Sequence, residues 1–243
     1  KLAEGVDNIF LGGFASASIR IVHEEDGYGA IRAIGWQRDD QGNLVINPNT
    51  GVPLTTNQPE TIGNVQPDWT ASAGTRLTYK GAYANVLFDI SQGGDIYNMD
   101  RFYTSYYGTA EATANRGSEY VYDGVLADAN GNPTDQQNDI AVTRDQAFYQ
   151  FNYSSQYENF VEDGSYIKLR ELTIGYRLPT SILGDTPIKS LDISATGRNL
   201  WIKTDFSYGD PEGSLYGSGN AQGFYHAVTP GTRSYHINLR LSI

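Results

Sequence analysis

The sequence predicts an all-β fold, with antiparallel strands suited to a membrane-spanning barrel. Three observations predict it. The chain closes on Tyr235, Ile237, Leu239, Leu241 and Ile243, alternating with Ser234, His236, Asn238, Arg240 and Ser242, so a period of two runs over ten positions. All nine prolines, at 48, 53, 59, 67, 133, 179, 187, 211 and 230, fall between candidate strands, as expected of residues that lack a ladder donor. The connections alternate short and long, the asymmetry of barrels with short turns on one rim and long loops on the other.

Seven strands follow in order. Ala15, Ala17, Ile19 and Ile21 alternate with Ser16, Ser18, Arg20 and Val22. The segment Tyr28 to Gln37 is a weaker candidate, followed by Trp69 to Tyr79. Ala84, Val86, Phe88 and Ile90 then alternate with Tyr83, Asn85, Leu87 and Asp89. Ser165 to Leu178 changes phase near Arg170 and Glu171, as a bulge allows. Ile188 to Lys203 and the closing strand complete the set. Short connections lie at Glu24 to Gly27, Lys80 to Ala82 and Pro179 to Pro187; long ones lie at Arg38 to Asp68, Gly93 to Gly164 and Thr204 to Gly231. Periodicity alone leaves open whether the apolar faces meet a protein core or lipid. With the short turns periplasmic, the last strand runs downward and Ile243 ends on the periplasmic side.

Composition excludes several classes. Twenty-seven Gly and 18 Tyr against a single Met describe turns and aromatic strands instead of packed helices. Without cysteine there is no disulfide framework, thiolate nucleophile or thiolate metal site. A net charge of -11 with no basic cluster excludes a nucleic-acid footprint. No run reaches the roughly 18 apolar residues of a membrane helix, and Lys1 to Gly5 is no signal peptide. The chain reads as a fragment or a processed product.

The longest loop, 95 to 164, is chemically distinct. It carries twelve acidic residues against three basic ones, -9 of the total of -11, and 13 of the 30 aromatics. So many aromatics predict a loop that folds on itself or packs against something. Tyr97, Tyr103, Tyr106, Tyr107, Tyr120, Tyr122, Tyr149, Tyr153 and Tyr157 are candidates for substrate or partner contact, since a phenol combines a flat apolar face with a hydroxyl. Their alternative role is to hold the loop together or to form an interfacial girdle, for which Trp69 and Trp201 are better placed. Arg76, Asn85, Asp89, His236, Asn238 and Arg240 are the candidates for the lumen.

No chemistry stands out. His23, His226 and His236 read as a turn, a loop and a lumen-facing strand residue, without metal-ligand spacing, so no metal is expected. Asp128-Ala129-Asn130-Gly131-Asn132 is similar to a calcium loop, but Pro133 stands where that loop needs Gly and Asp139 where it needs Glu, so a turn is expected. No carboxylate pair, nucleophile elbow or phosphate-binding loop singles itself out. The chain is not expected to be an enzyme or to carry a cofactor.

Several stretches resemble the SusC/RagA family of TonB-dependent outer-membrane transporters. They are Ile62-Gly63-Asn64-Val65-Gln66-Pro67-Asp68-Trp69, Tyr79-Lys80-Gly81, Gly94-Asp95-Ile96-Tyr97-Asn98, Tyr166 to Tyr176, Gly197-Arg198-Asn199-Leu200-Trp201 and Asp210-Pro211-Glu212, in the family's order. Asn8 to Gly13 and Tyr28 to Ile46 resemble what precedes them, so the resemblance covers residues 1 to 243. It implies the C-terminal portion of a 22-stranded barrel, about seven strands, with the plug domain and N-terminal strands outside this chain. It further implies the bacterial outer membrane, contact with its lipid, a SusD-like surface lipoprotein, coupling to TonB through the N-terminal part, and import of glycan or peptide cargo. The family commonly ends in an aromatic residue, whereas this chain ends in Ile243. The alternatives are a soluble secreted carbohydrate-binding β-sandwich, and a related barrel with a structural or export role.

Overall fold

In a computed structural model the chain is described at residues 2–14, 19–24, 27–184 and 186–243. It divides into two compact units, Lys1–Gln66 with Asp95–Glu162 and Ser214–Val228, and Pro67–Gly94 with Asp163–Gly213 and Thr229–Ile243.

The second unit is an antiparallel sheet of five strands, in the order Ser234–Ser242, Ser190–Thr204, Tyr166–Arg177, Ala82–Gly93 and Pro67–Tyr79. These are the expected strands to within a few residues at each end. Pro67 opens its strand, one of the positions where a missing donor costs nothing. The link between the first two strands in sequence is a two-residue turn, with Lys80 at φ 47° and Gly81 at φ 89°. Both positive angles belong to the turn whose twist matches the sheet. A Cβ on Gly81 would stand 2.6 Å from the Arg177 carbonyl oxygen, and the Gly81 carbonyl accepts from the Arg177 amide at 2.8 Å. The expected bulge is present: against Phe88 and Leu87 pairing steps from Leu169 to Glu171 and leaves Arg170 as the extra residue, while on the other side the register also shifts, with Asn199 and Leu200 lying across from Arg170.

The first unit holds an antiparallel sheet of Asn8–Phe14, Ile19–Glu24, Gly27–Ala33 and Glu60–Asn64. Two of its strands were expected, although Ala15, Ser16, Ala17 and Ser18 lie outside the described residues. Asn8–Phe14 and Glu60–Asn64 were not expected as strands, being short and polar or glycine-rich. His23 lies on a strand and not in a turn, its Nδ1 3.0 Å from the Gly27 carbonyl oxygen. Ile19, Ile21, Ile31 and Ala33 pack with Tyr97, Met99, Phe160 and Phe224 into one core. Here the apolar face meets protein.

The long loop folds on itself, as its aromatics predicted. It contains the helix Met99–Tyr106, capped by the Asn98 side chain, which accepts from the Arg101 amide at 3.0 Å. Glu119–Val121 pairs with Ala141–Thr143, and Gly124–Ala127 pairs with Pro133–Gln137 and, in parallel, with Leu44–Ile46. Phe148–Tyr153 forms a π-helical turn. Ile46, Tyr122, Leu126, Phe148 and Tyr149 make a second core. Pro133 begins its strand, the one proline besides Pro67 that falls inside one.

Candidate functional site

The register of the five-stranded sheet sorts its residues onto two faces. Tyr235, Ile237, Leu239 and Leu241 stand opposite Gly197, Ala195, Ile193 and Leu191. The row continues from Ala195 through Ile174 and Ala84 to Leu77. This face is apolar and open: Ile237 is 86% exposed, Leu77 66% and Ile174 60%. Trp69 and Trp201 flank it at one end and Tyr79 and Tyr176 at the other, all exposed. Apolar residues between two aromatic rims are the outer surface of a membrane barrel.

The opposite face is polar, and all six lumen candidates are on it. Arg76, Asn85 and His236 share one cross-strand row with Thr173 and Thr196. Asn238 stands opposite Ser194, and Arg240 opposite Asp192. Arg76 stacks on the Tyr83 ring at 4.8 Å, and the Tyr83 hydroxyl donates to Asp192 at 2.7 Å. Gly175 makes room for that ring, since a Cβ there would stand 2.3 Å from it.

Asp89 belongs to a larger cluster on this face. It accepts from the Ser72 hydroxyl at 2.7 Å and from the Arg170 guanidinium at 2.9 Å. Arg170 also reaches Glu212, as do Lys168 and the Tyr166 hydroxyl, the last at 2.9 Å. Lys168, whose side chain is only 4% exposed, donates to Asp210 at 2.5 Å. The bulge is what makes the cluster feasible: it turns Arg170 and Glu171 to the same side, so Arg170 meets Glu212 while Glu171 takes Arg198 at 3.0 Å. The Asp210-Pro211-Glu212 loop is thereby clamped to the polar face. Burial works against the Glu212 charge, but hydrogen bonds from Arg170, Lys168 and Tyr166 outweigh it and hold its carboxyl down at about 2. Lys168, Arg170, Asp210 and Glu212 lie within quoted family motifs, yet a separation of 42 residues or more between partners hid the clamp.

The tyrosine candidates divide by burial. Tyr97, Tyr122 and Tyr149 are buried and spend their rings on packing. Tyr97 meets Tyr157, Phe160 and Phe224 edge to face, and Tyr149 donates to Asn115 at 2.5 Å. Tyr103, Tyr106, Tyr120, Tyr153 and Tyr157 are half-buried, and Tyr107 is 67% exposed, stacked on Tyr103. His226 lies against Tyr103, with its Nδ1 2.8 Å from Asp100. A cavity of about 320 Å³ opens within the loop, walled by Tyr120, Tyr122, Phe148, Tyr149 and Tyr153, with Arg38, Arg144 and Glu158 also lining it.

Asp128 forms the expected turn, its carboxylate accepting from the Asn130 and Asn132 amides at 2.8 Å. Asp39 does the same for Gln41 and Asn43. Both carboxylates are held below their usual range, by the Asn43 side chain above all at Asp39 and by the Asn132 amide above all at Asp128. Among the described residues no three His, Cys, Asp or Glu side chains group as metal ligands.

No family model matches the chain. It is 27% identical over 208 residues to TonB-dependent receptor P3 of Formosa agariphila, and 29% over 208 residues to TonB-dependent receptor P26 of the same organism. Each alignment takes in 84% of this chain and 19% of the relative, so the chain spans about a fifth of the length of the curated relatives it matches. In structure it resembles the RagAB peptide importer in its closed-closed state, with a TM-score of 0.64 at 19% identity over 99% of this chain and 25% of that one. The open-open state gives 0.60 at 19% identity over 100% and 25%. In sequence and in fold the chain is thus similar to SusC/RagA-type TonB-dependent receptors, proteins of the bacterial outer membrane.

Proposed function

We propose that residues 1–243 are the C-terminal part of the barrel of a TonB-dependent outer-membrane importer, which takes up oligosaccharides or peptides together with a SusD-like surface lipoprotein. One observation carries the reading. Five neighbouring strands turn most of their apolar side chains, Leu87 and Ile202 excepted, to an exposed face with aromatic rims, and their charged residues, Lys203 excepted, to the other. A soluble sandwich would bury that apolar face against a second sheet. Lipid covers it in a barrel, and the polar face then lines the lumen.

The chemistry required is recognition and gating. External loops and the lipoprotein capture cargo, and the plug domain, supplied by another part of the protein, moves when TonB pulls on it. Arg76, Asn85, Asp89, His236, Asn238 and Arg240 hold the resting plug through polar contacts, and the partly exposed loop tyrosines, Tyr103, Tyr106 and Tyr107 among them, contact cargo or the lipoprotein. The bond-making apparatus of an enzyme has no part in this cycle.

The test is uptake. Deleting the full-length gene should abolish accumulation of one labelled oligosaccharide or peptide class, and inactivating TonB should do the same while the protein stays in the outer-membrane fraction. Accumulation that survives loss of TonB would overturn the reading.

A further inference from the structure

The cavity inside the long loop has an arrangement that loop packing does not require. Residues 95 to 164 carry twelve carboxylates, so an arginine there has many partners available. Arg101 takes Glu162 at 3.0 Å, and Arg38, which also lines the cavity, takes Glu158 at 2.9 Å. Arg144 takes none of them. It lies half-buried at the cavity, stacked on Tyr120 with its guanidinium carbon 4.2 Å from the ring centre, and the hydrogen bond its guanidinium makes is a long one, 3.4 Å, to the Ser118 hydroxyl. Stacking leaves the edges of a guanidinium free to donate.

Two further groups at the same cavity are unused. The Tyr122 hydroxyl is buried without a partner, on a residue only 7% exposed. Burial raises its pKa, and the residue is one of those that wall the cavity. Asn115 uses its carbonyl oxygen to accept from Tyr149, which leaves its amide nitrogen for a ligand. A hydrogen bond left unmade at a buried phenol is costly, so a ligand that supplies it recovers that cost.

From these groups we infer that the cavity is a binding subsite for a carboxylate-bearing sugar residue of the cargo, with Arg144 holding the carboxylate. The inference rests on the import reading and names its substrate class. The Arg144 guanidinium and the Asn115 amide nitrogen can only donate and the Tyr122 hydroxyl can donate, so a ligand with acceptors suits them, and a guanidinium fork without a carboxylate partner fits one in two parallel bonds. Tyr120, Tyr122, Phe148 and Tyr153 offer ring faces and edges against which the C–H face of a pyranose can lie. A volume near 320 Å³ stands at the small end of ligand pockets, room for one ring and its substituents. The loop's net negative charge opposes an anion at long range, but at physiological salt charges more than about 8 Å away are largely screened, whereas Arg144 acts in contact.

The test uses the full-length protein purified in detergent, titrated calorimetrically with trigalacturonate, a neutral glucose trisaccharide and triglutamate. The acidic sugar should bind at least about tenfold more tightly than the neutral one. Arg144→Gln should remove that preference, Tyr122→Phe should weaken the acidic sugar by a few-fold, and Arg116→Gln, on an exposed arginine outside the cavity, should change nothing. Equal binding of both sugars, triglutamate displacing the acidic sugar, no binding of trigalacturonate, or an unchanged affinity in Arg144→Gln would each overturn the subsite. Uptake that persists without TonB while the binding pattern holds would sink the import reading alone.

Discussion

The five-stranded sheet and the loop of residues 95–164 use aromatic side chains in opposite senses. In the sheet, Trp69, Tyr79, Trp201 and Tyr235 stand on the apolar face, between about half and three-quarters exposed. In the loop, Tyr97, Tyr122, Phe148, Tyr149 and Phe160 are buried; Tyr97 meets Phe160 and Phe148 meets Tyr149 edge to face, and Tyr122 tilts against Phe148. Polar contacts are reversed as well. The sheet gathers its ion pairs on the face opposite its apolar one, at Asp89, Lys168, Arg170 and Glu212, while the loop spreads its carboxylates over turns, of which Asp128 and Asp145 are examples. The sheet is therefore built for a solvent that changes from one face to the other, and the loop packs into protein cores that it shares with Ile19, Ile21, Ile31 and Ile46.

The comparison breaks first at the loop core. Phe160 is fully buried against Tyr97, Phe102 and Tyr153. Phe160→Ala should cost about 3–5 kcal/mol and unfold the loop without releasing the sheet. Proteolysis should then cut between residues 95 and 162 while heat-modifiable mobility on gels, the sign of an intact barrel, stays. The same truncation losing both would show that loop and sheet fold as one.

Adjacent residues on the last strand sharpen it next. Leu239→Arg puts a charge on the apolar face, and near a bilayer midplane that costs about 2–4 kcal/mol. Asn238→Arg adds the same charge one residue away on the polar face and should cost close to nothing. Barrel assembly yield in the outer membrane reads the difference, and equal yields would mean that Leu239 does not face lipid.

How legible each region is in sequence follows from the same contrast. The sheet strands are long and Pro or Gly lies in most of the connections between them, so the strand containing Ala84 to Ile90 and Tyr235 to Ile243 are readable from their alternation, Trp69 to Tyr79 from a weaker pattern, and even the bulge at Arg170 shows as a phase change. The loop elements are three to five residues long and depend on tertiary packing. Nothing local distinguishes buried Tyr97 from exposed Tyr107, or announces the π-helical turn at Phe148–Tyr153. The clamp was hidden for another reason. Its cations and carboxylates come from distant stretches, and only the register of the sheet brings them together.

A smaller effect is expected at the Lys80-Gly81 turn. Gly81→Ala forces a Cβ to within 2.6 Å of a backbone oxygen at a φ of 89°, a strain of about 1–3 kcal/mol. The thermal midpoint of the full-length barrel should fall, while Gly42→Ala, at a comparable φ but with open space around its Cβ position, should lower it less. Equal shifts would assign the cost to backbone conformation alone.

The smallest effect tests the clamp by titration. The Glu212 carboxyl is held at about 2, below its ordinary value of 4.5. A depressed folded-state pKa contributes stability that is complete above the unfolded value and is lost as pH falls through the folded one. Glu212→Gln keeps the shape and removes the charge, so wild type should exceed it by about 1 kcal/mol, a modest figure because the carboxylate is a third exposed. That margin should stay constant from about pH 7 to about pH 5, narrow between about 4.5 and 2, and vanish near the bottom of that window. Every other carboxylate is common to the two proteins, so the difference between them reports on Glu212. A margin that closes already between about pH 7 and pH 5 would show a carboxylate raised instead of lowered, and the Lys168 and Arg170 contacts would then be too weak to clamp the loop.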